Sequence, residues 1–493
     1  MSDNVCVAEQ SGLASTAPAS LGGLGLRVRR IPPEPACFTL VVAAYAVHFL
    51  LSGYHRFYFD ATEYWQLGDR FRHDGHFSLV AFDYPWRGYS VPLLNHVLQV
   101  LASGLGLGAV SIVKIFGAVL AATLGVVVAP RLARQLFPTA SIGPTRVLAL
   151  NALVFLYWRD HFDFSLSDFP AVLVAMVGLL GLLRGTAPGY FVAGLCFGLA
   201  ANIRPGYLPA AIAVIAVAGL VPLRPWDWRR RTAALALVLA GAFIVSLPQM
   251  LINDHQRGSW SPFVPKAREI TLIQLWQGMH SQKYETYIGP SSGYPQPGVF
   301  YVDPGTMHVL EQAHVVPVTR SGGYVEFPSY GSYVRLVLHH PAEMGAAYGR
   351  RLFNGVDVQY PTPYVRDLDD RSVVLSLLEY TLVFLAIVRL LLPDARRSLG
   401  RIRWAGIVVL VLPCVTAVTG AVEPRFFLPL QLLVYMLVCF GPATWASLIG
   451  GGAGRRVALA LSYAAFLVVC LTLSSATRAQ LEHPGPTLGS GVQ

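Results

Sequence analysis

Carboxylates recur at two places in this 493-residue chain where a long apolar block has just ended. The segment YHRFYFDATEYWQLGDRF, starting at Tyr54, spaces Asp60, Glu63 and Tyr64 so that one helical turn presents them together. Such a carboxylate pair can act as a base and its orienting partner. It equally suits a solvated interfacial helix beside an aromatic belt of Tyr58, Phe59 and Trp65. The segment RDHFDFSLSDFPA, from Arg159, crowds Asp160, His161, Asp163 and Asp168 together, with solvated loop acids as the plain alternative. Asp168 stands directly before Phe169-Pro170 at a helix start, where a carboxylate caps amides or points into a polar cavity. These residue types could hold a divalent cation, but their spacing matches no recognised metal motif. No metal ligand is assigned and a cation is not favoured.

Cations are expected on the same side. Arg87 in PWRGYSVPLL, Arg204 in ANIRPGYLP and Arg425 in EPRFFLPL each abut the end of an apolar block, against the charge bias seen elsewhere in the chain. A guanidinium fork at a membrane boundary matches the oxygens of a phosphate whose lipid tail stays in the bilayer. Snorkelling to headgroups explains any one such arginine; three beside acids favour a site.

The elements that must position these groups are spanning helices. The chain is 54% hydrophobic and only 13% charged, too little polar surface for a soluble globule of this size. Its net charge of +10 is scattered between apolar blocks rather than gathered on one face, so no nucleic-acid partner is indicated. The six cysteines show no paired spacing, which gives neither a disulfide framework nor a zinc site. Blocks of about 20 apolar residues predict spans near 37–53, 108–130, 146–158, 169–184, 189–203, 207–223, 232–252, 373–393, 404–421, 426–441 and 456–474. The stretch 91–104, broken by Asn95, His96 and Gln99, is read as an interfacial helix. With it left out of the crossings, Arg131, Arg134 and Arg146, then Arg184, Arg229 to Arg231, Arg401, Arg403, Arg455 and Arg456 all fall inside. The expected protein is an all-α polytopic protein of the inner (plasma) membrane, with its N-terminus cytoplasmic and Asp60 extracytoplasmic.

In this order and sidedness the motifs resemble the polyprenyl-phosphate-sugar-dependent glycosyltransferases of the GT-C fold. They are nearest in pattern to the protein O-mannosyltransferases and the lipid A aminoarabinose transferase. The resemblance runs along most of the chain. It rests on Asp60 after the first span, RGYSVPLLNHVLQVLASGLG, a span opening near Lys114 and ending in LARQLF, the SDFPA entry, GLCFGLAANIRP and PRFFLPL. Two departures stand out: Ala61 rather than a second acid follows Asp60, and the insertion at 253–372 has no named counterpart. The apolar blocks predict about 11 transmembrane helices. The resemblance implies that they form a GT-C-like helical bundle, a seven-helix conserved module with variable later helices, and that the chain is an inverting glycosyltransferase with Asp60 as general base. It also implies a polyprenyl-phosphate-linked monosaccharide, hexosyl or pentosyl, as donor, and an acceptor glycan, lipid or protein. Asp60, Glu63 and Asp168 are then the catalytic candidates, and Arg87, Arg204, Arg425 and Lys114 the donor-phosphate ligands. Tyr64, Asp163 and His340 are candidate substrate contacts. No cofactor is required.

The implied division is a cytoplasmic tail (1–36), a GT-C-like membrane module (37–252), an extracytoplasmic cap (253–372), C-terminal helices (373–474) and an extracytoplasmic tail (475–493). The cap is too long for a connector and too aromatic for a linker. It is expected to hold a helix around SYVRLVLHHPAEMGAAYGRRLF, with Trp276, Tyr284, Tyr287, Tyr330 and Tyr333 either stacking on sugar or packing on the bundle. Rival classes are a transporter or flippase of lipid-linked sugar and an envelope assembly protein. A transporter would place its charges at mid-membrane.

Overall fold

Every apolar block read as a span forms a helix, the arrangement that keeps backbone hydrogen bonds within one segment in hydrocarbon. The structure, a computed structural model, describes residues 33–220, 228–279, 282–288, 295–300, 304–319, 325–365, 371–392, 399–441 and 452–482. The first half contains α1 (Pro33–Leu51), the short α2 (Phe59–Leu67), α3 (Ser90–Leu105), α4 (Ala109–Leu136), α5 (Pro144–Trp158), α6 (Asp168–Arg184), α7 (Ala187–Ile203), α8 (Leu208–Leu220) and α9 (Trp228–Arg257). The insertion carries α10 (Ala267–Met279), α11 (Pro304–Gln312), α12 (Tyr330–His339) and α13 (Pro341–Val356). The chain then returns through α14 (Val373–Leu391), α15 (Arg401–Ala417), α16 (Leu428–Phe440) and α17 (Ala453–Glu482). Stretches within α1, α4, α9, α14 and α17 are long and apolar enough to cross a bilayer. The chain is therefore an all-α membrane protein. The helix read as ending at 474 runs on to Glu482, so the first part of the expected C-terminal tail is helical.

Small residues set the packing of the bundle. In α7, Gly194 and Gly198 share one face and meet α9: a Cβ added at Gly194 would lie 1.9 Å from the Val238 carbonyl oxygen, and one at Gly198 would lie 3.1 Å from Ala242 Cα. Gly241 answers from α9, where a Cβ would fall 2.3 Å from the Phe191 carbonyl oxygen. The polar residues of α3 turn inward instead of facing water. Asn95 donates to the Tyr64 carbonyl at 2.9 Å and Gln99 to that of Trp65 at 2.7 Å, while His96 Nδ1 lies 3.0 Å from the Gly68 carbonyl. They satisfy the last carbonyls of α2, and Val97, Val100, Leu101 and Leu105 are left on the open face.

The insertion has a core of its own, in which Leu272, Trp276, Met279, Phe327, Tyr333 and Leu336 pack together. Trp276 and Tyr333 are thus packing residues, Tyr330 is exposed, and the side chains of Tyr284 and Tyr287 lie outside the described part. The single helix expected around 332–353 is two, α12 and α13, split at His340. Pro341 disfavours helical geometry in the residue before it, and His340 sits at φ −126°, ψ 55°. A small sheet joins Gln282–Ile288 antiparallel to Pro295–Phe300 and parallel to Tyr364–Val365, which leads the insertion back beneath α2.

Candidate functional site

The site is built around α2, and α2 starts under strain. Tyr58 is extended (φ −130°, ψ 149°), and Phe59 then adopts φ 36°, a left-handed conformation that costs a bulky residue about 1–3 kcal/mol. Tyr364, fully buried at the end of the insertion, holds the bend: its hydroxyl donates to the Tyr58 carbonyl at 2.9 Å and accepts from the Ala61 N–H at 3.3 Å. Asp60 sits between those two anchors.

Arginines from two other segments close on Asp60. Arg87, ahead of α3, donates from Nη2 to Asp60 Oδ1 at 2.8 Å and to Glu63 Oε2 at 3.1 Å, and from Nη1 to the Tyr64 hydroxyl at 3.2 Å. Arg425, in the Pro424–Phe427 turn that leads into α16, donates from Nη2 to Asp60 Oδ2 at 3.2 Å and from Nε to Glu423 Oε2 at 2.8 Å. Its Nη1 lies 3.7 Å from Asp168 Oδ2. Asp168, on the first turn of α6, also pairs with Arg204 at the end of α7, whose guanidinium packs over the Phe426 ring at 4.5 Å. Tyr64 donates to Ser167 Oγ at 3.2 Å, and Tyr84 donates to Glu63. The residues named from sequence as Asp60, Glu63, Tyr64, Arg87, Asp168, Arg204 and Arg425 therefore form one network. It lies where α1 and α7 end and where α3, α6 and α16 begin.

The charges tune one another. Burial pushes the Asp60 carboxyl up, but Arg87, Arg425 and Arg204 together outweigh it and hold the group below the usual aspartate range. Glu423 moves the other way: burial, reinforced by the Asp60 charge and only partly opposed by Arg204, lifts it well above the usual glutamate range. The two carboxyls, both hydrogen-bonded to Arg425, are thus pushed in opposite directions, Asp60 down by its arginines and Glu423 up by burial.

No family model, curated protein or solved structure matches this chain. Lys114 and Asp163 are not part of the arginine network. They belong to a second cluster, in which Lys114 donates to the Tyr54 carbonyl at 3.0 Å and lies 3.6 Å from Asp163 Oδ1. Ser52 donates to Asp163 Oδ2 at 2.7 Å, and His48 Nε2 lies 2.9 Å from Asp160 Oδ1. The ligand atoms of His48, Asp160 and Asp163 fall within 4.8 Å of one another, a set that in type could hold a metal. Lys114 and Arg159, the latter 3.8 Å from Asp160, already offset the two acids. Burial pushes Asp163 up to about 6, and burial together with Arg425 pushes His161 down to about 3. His161 Nδ1 lies 3.2 Å from the Pro361 carbonyl.

His340 stands apart from both clusters. Its backbone joins α12 to α13, donating to the Leu336 carbonyl and accepting from Met344 N–H, and among the described residues no hydrogen bond or ion pair links it to the arginine network. Sequence reasoning also passed over contributors to the site. His48 was visible as an ionisable residue in the last turn of an apolar span, and Glu423 as the near neighbour of an arginine already singled out. Tyr364 carried no such signal. A small cavity between α3 and α4 has Leu94, Leu98, Val113 and Phe116 in its wall together with Asn95 and Ser165.

Proposed function

We propose that this chain is a membrane glycosyltransferase that moves a monosaccharide from a polyprenyl-phosphate donor to an extracytoplasmic acceptor hydroxyl. The carrying observation is the Asp60 carboxylate set between Arg87 and Arg425, with Arg204 adjoining through Asp168. In the proposed reaction the acceptor oxygen attacks the anomeric carbon as the carbon–oxygen bond to phosphate breaks, and the configuration inverts. The acceptor's proton passes to Asp60, and the bonding electron pair leaves with the phosphate, which becomes polyprenyl phosphate. Charge grows on that phosphate as the bond breaks, and the arginines offer N–H groups where it grows.

One observation favours the transporter reading. Contrary to charges gathered at one surface only, Glu379 and Arg389 are buried within α14. Both tie α14 to α16: Tyr435 donates to Glu379 at 2.8 Å, and Arg389 donates to the Leu437 carbonyl at 2.6 Å. This bonding is what helix packing requires. The deciding experiment gives purified chain in vesicles radiolabelled monosaccharides on polyprenyl phosphate together with a panel of acceptors. The reading expects labelled acceptor of inverted configuration and release of polyprenyl phosphate. Movement of intact donor across the vesicle without transfer would establish the transporter instead.

A further inference from the structure

Both oxygens of the Asp60 carboxylate are taken, Oδ1 by Arg87 at 2.8 Å and Oδ2 by Arg425 at 3.2 Å. A general base has to offer an oxygen within hydrogen-bond reach of the hydroxyl it deprotonates. Those same guanidinium groups are the ones a phosphate would engage, and phosphate competes well for them because it accepts bidentate, charge-assisted hydrogen bonds. We propose that the donor's phosphate is the switch that frees Asp60: by drawing Arg87 and Arg425 away it opens a carboxylate oxygen and restores its basicity, so the acceptor engages productively only after the donor has bound. The inference rests on the glycosyltransferase reading and adds to it an order of binding and a regulator of the base.

The surroundings support the exchange. Asp60 is faced by Glu63 and Tyr64 from its own helix, by Arg87 from the segment before α3, and by Glu423 and Arg425 from the turn before α16. Arg204 from the end of α7 and Tyr364 from the end of the insertion complete the ring. Each arginine has another acid to hold when the phosphate leaves: Glu63 for Arg87, Glu423 for Arg425 and Asp168 for Arg204. The arrangement is therefore reversible, and it protects the site between turnovers by keeping the base capped and poor at accepting protons. A donor bound to such a site activates the group that will consume it.

The test follows the protonation of Asp60 directly. Full-length chain in lipid nanodiscs is titrated by infrared difference spectroscopy, with Asp60→Asn used to assign the carboxyl band. The titration is run without ligand, with polyprenyl phosphate and with the neutral polyprenol. Polyprenyl phosphate is expected to raise the Asp60 midpoint by about one unit or more, the size of one lost cationic neighbour, and polyprenol to leave it in place. Arg87→Gln is expected to start higher and to show a smaller rise with polyprenyl phosphate than wild type. If bound polyprenyl phosphate leaves the midpoint unmoved, or polyprenol moves it equally, the switch is refuted while the glycosyltransferase reading stands. An equal rise in Arg87→Gln would mean direct repulsion by phosphate rather than exchange, and would also refute it. Failure of polyprenyl phosphate to bind wild type at all, scored separately by 31P NMR, overturns the glycosyltransferase reading together with the switch.

Discussion

Among the carboxylates of the network, reach separates one role from another. Asp168 is 2% exposed at its side chain and is held by Arg204 and Arg425, whereas Asp60 is 17% exposed and is held on one side by Arg87, itself 33% exposed and open to competition by a ligand. Asp60→Asn is therefore expected to lower the transfer rate by about 10²–10⁴-fold with polyprenyl phosphate binding kept, the signature of a lost general base. Measured beside it, Glu63→Gln is expected to retain most activity and Asp168→Asn to lose donor affinity along with rate. Near-normal transfer by Asp60→Asn with loss in either of the others would move the base to that residue. Arg204→Ala is the cleaner probe of the proposed phosphate site, because Arg425 still neutralises Asp168 when Arg204 is gone. Its expected cost is about 1.5–3 kcal/mol in polyprenyl phosphate affinity, read by a binding isotherm; unchanged affinity would return Arg204 to a purely structural pairing.

Asp163 gives a separate handle through pH. Its carboxyl is raised by burial to about 6, so the folded chain binds a proton there that the unfolded chain releases near pH 4. The native state is favoured by this group below that range, and the contribution is lost as pH rises from about 4 to about 6. Asn does not titrate. Asp163→Asn is thus expected to gain stability relative to wild type across that window, on the order of 2–3 kcal/mol, seen as a rising difference in melting temperature between pH 4 and pH 7. A difference that stays flat over the window would show that Asp163 is ionised in the fold. At this scale the sequence was legible where a residue broke a rule: Arg87, Arg204 and Arg425 stood out against the positive-inside bias, and all three meet the acids. Lys114, expected from the resemblance among the donor-phosphate ligands, instead donates to the carbonyls of Phe49 in the last turn of α1 and of Tyr54 just beyond it. Charge alone does not tell a ligand from a cap.

Among the elements, apolar blocks announced their helices because hydrocarbon leaves the backbone no other partner. What they could not announce is which face of each helix meets which neighbour. The α7 and α9 contact is set by glycines: with Gly194 replaced by Ala, a methyl group would stand 1.9 Å from the Val238 carbonyl oxygen, which no side-chain rotation relieves. Gly194→Ala is expected to destabilise the chain by about 1–3 kcal/mol, the usual cost of overpacking, and to weaken the site through Arg204 at the end of the same helix. Gly104→Ala, where an added Cβ meets nothing within 4 Å, is the matched control and is expected to melt with wild type. Equal melting of the two variants would mean that α7 and α9 separate without cost. Pro341 was equally visible in the sequence, and its consequence, the break between α12 and α13, follows from local sterics alone. Tyr364 shows the limit. It matters because chain more than 300 residues downstream comes back beneath α2, hydrogen-bonding to Tyr58 across a separation of 306 positions, and periodicity carries no information about such a return.

For the molecule as a whole, everything proposed turns on which side of the bilayer holds the arginine network. That network and the insertion share one end of the bundle, since the Pro361 carbonyl accepts from Asp160 N–H and Tyr364 braces Asp60's helix. A label on the insertion therefore reports the side of the site. Ala313 is an exposed position there, and Ser141, in the turn before α5, is exposed at the opposite ends of α4 and α5. The described native cysteines interfere little, because Cys37, Cys196, Cys414 and Cys470 are buried and Cys439 is half-buried. With an impermeant thiol reagent on intact cells, Ala313→Cys is expected to label at once, and Ser141→Cys only after the membrane is opened. Cys6, in the tail read as cytoplasmic from Arg27, Arg29 and Arg30, supplies an internal control that should follow Ser141→Cys. Should Ser141→Cys label from outside while Ala313→Cys stays protected, the site faces the cytoplasm. A polyprenyl-linked sugar displayed outside would then be unreachable, and the arginines would need a different phosphate.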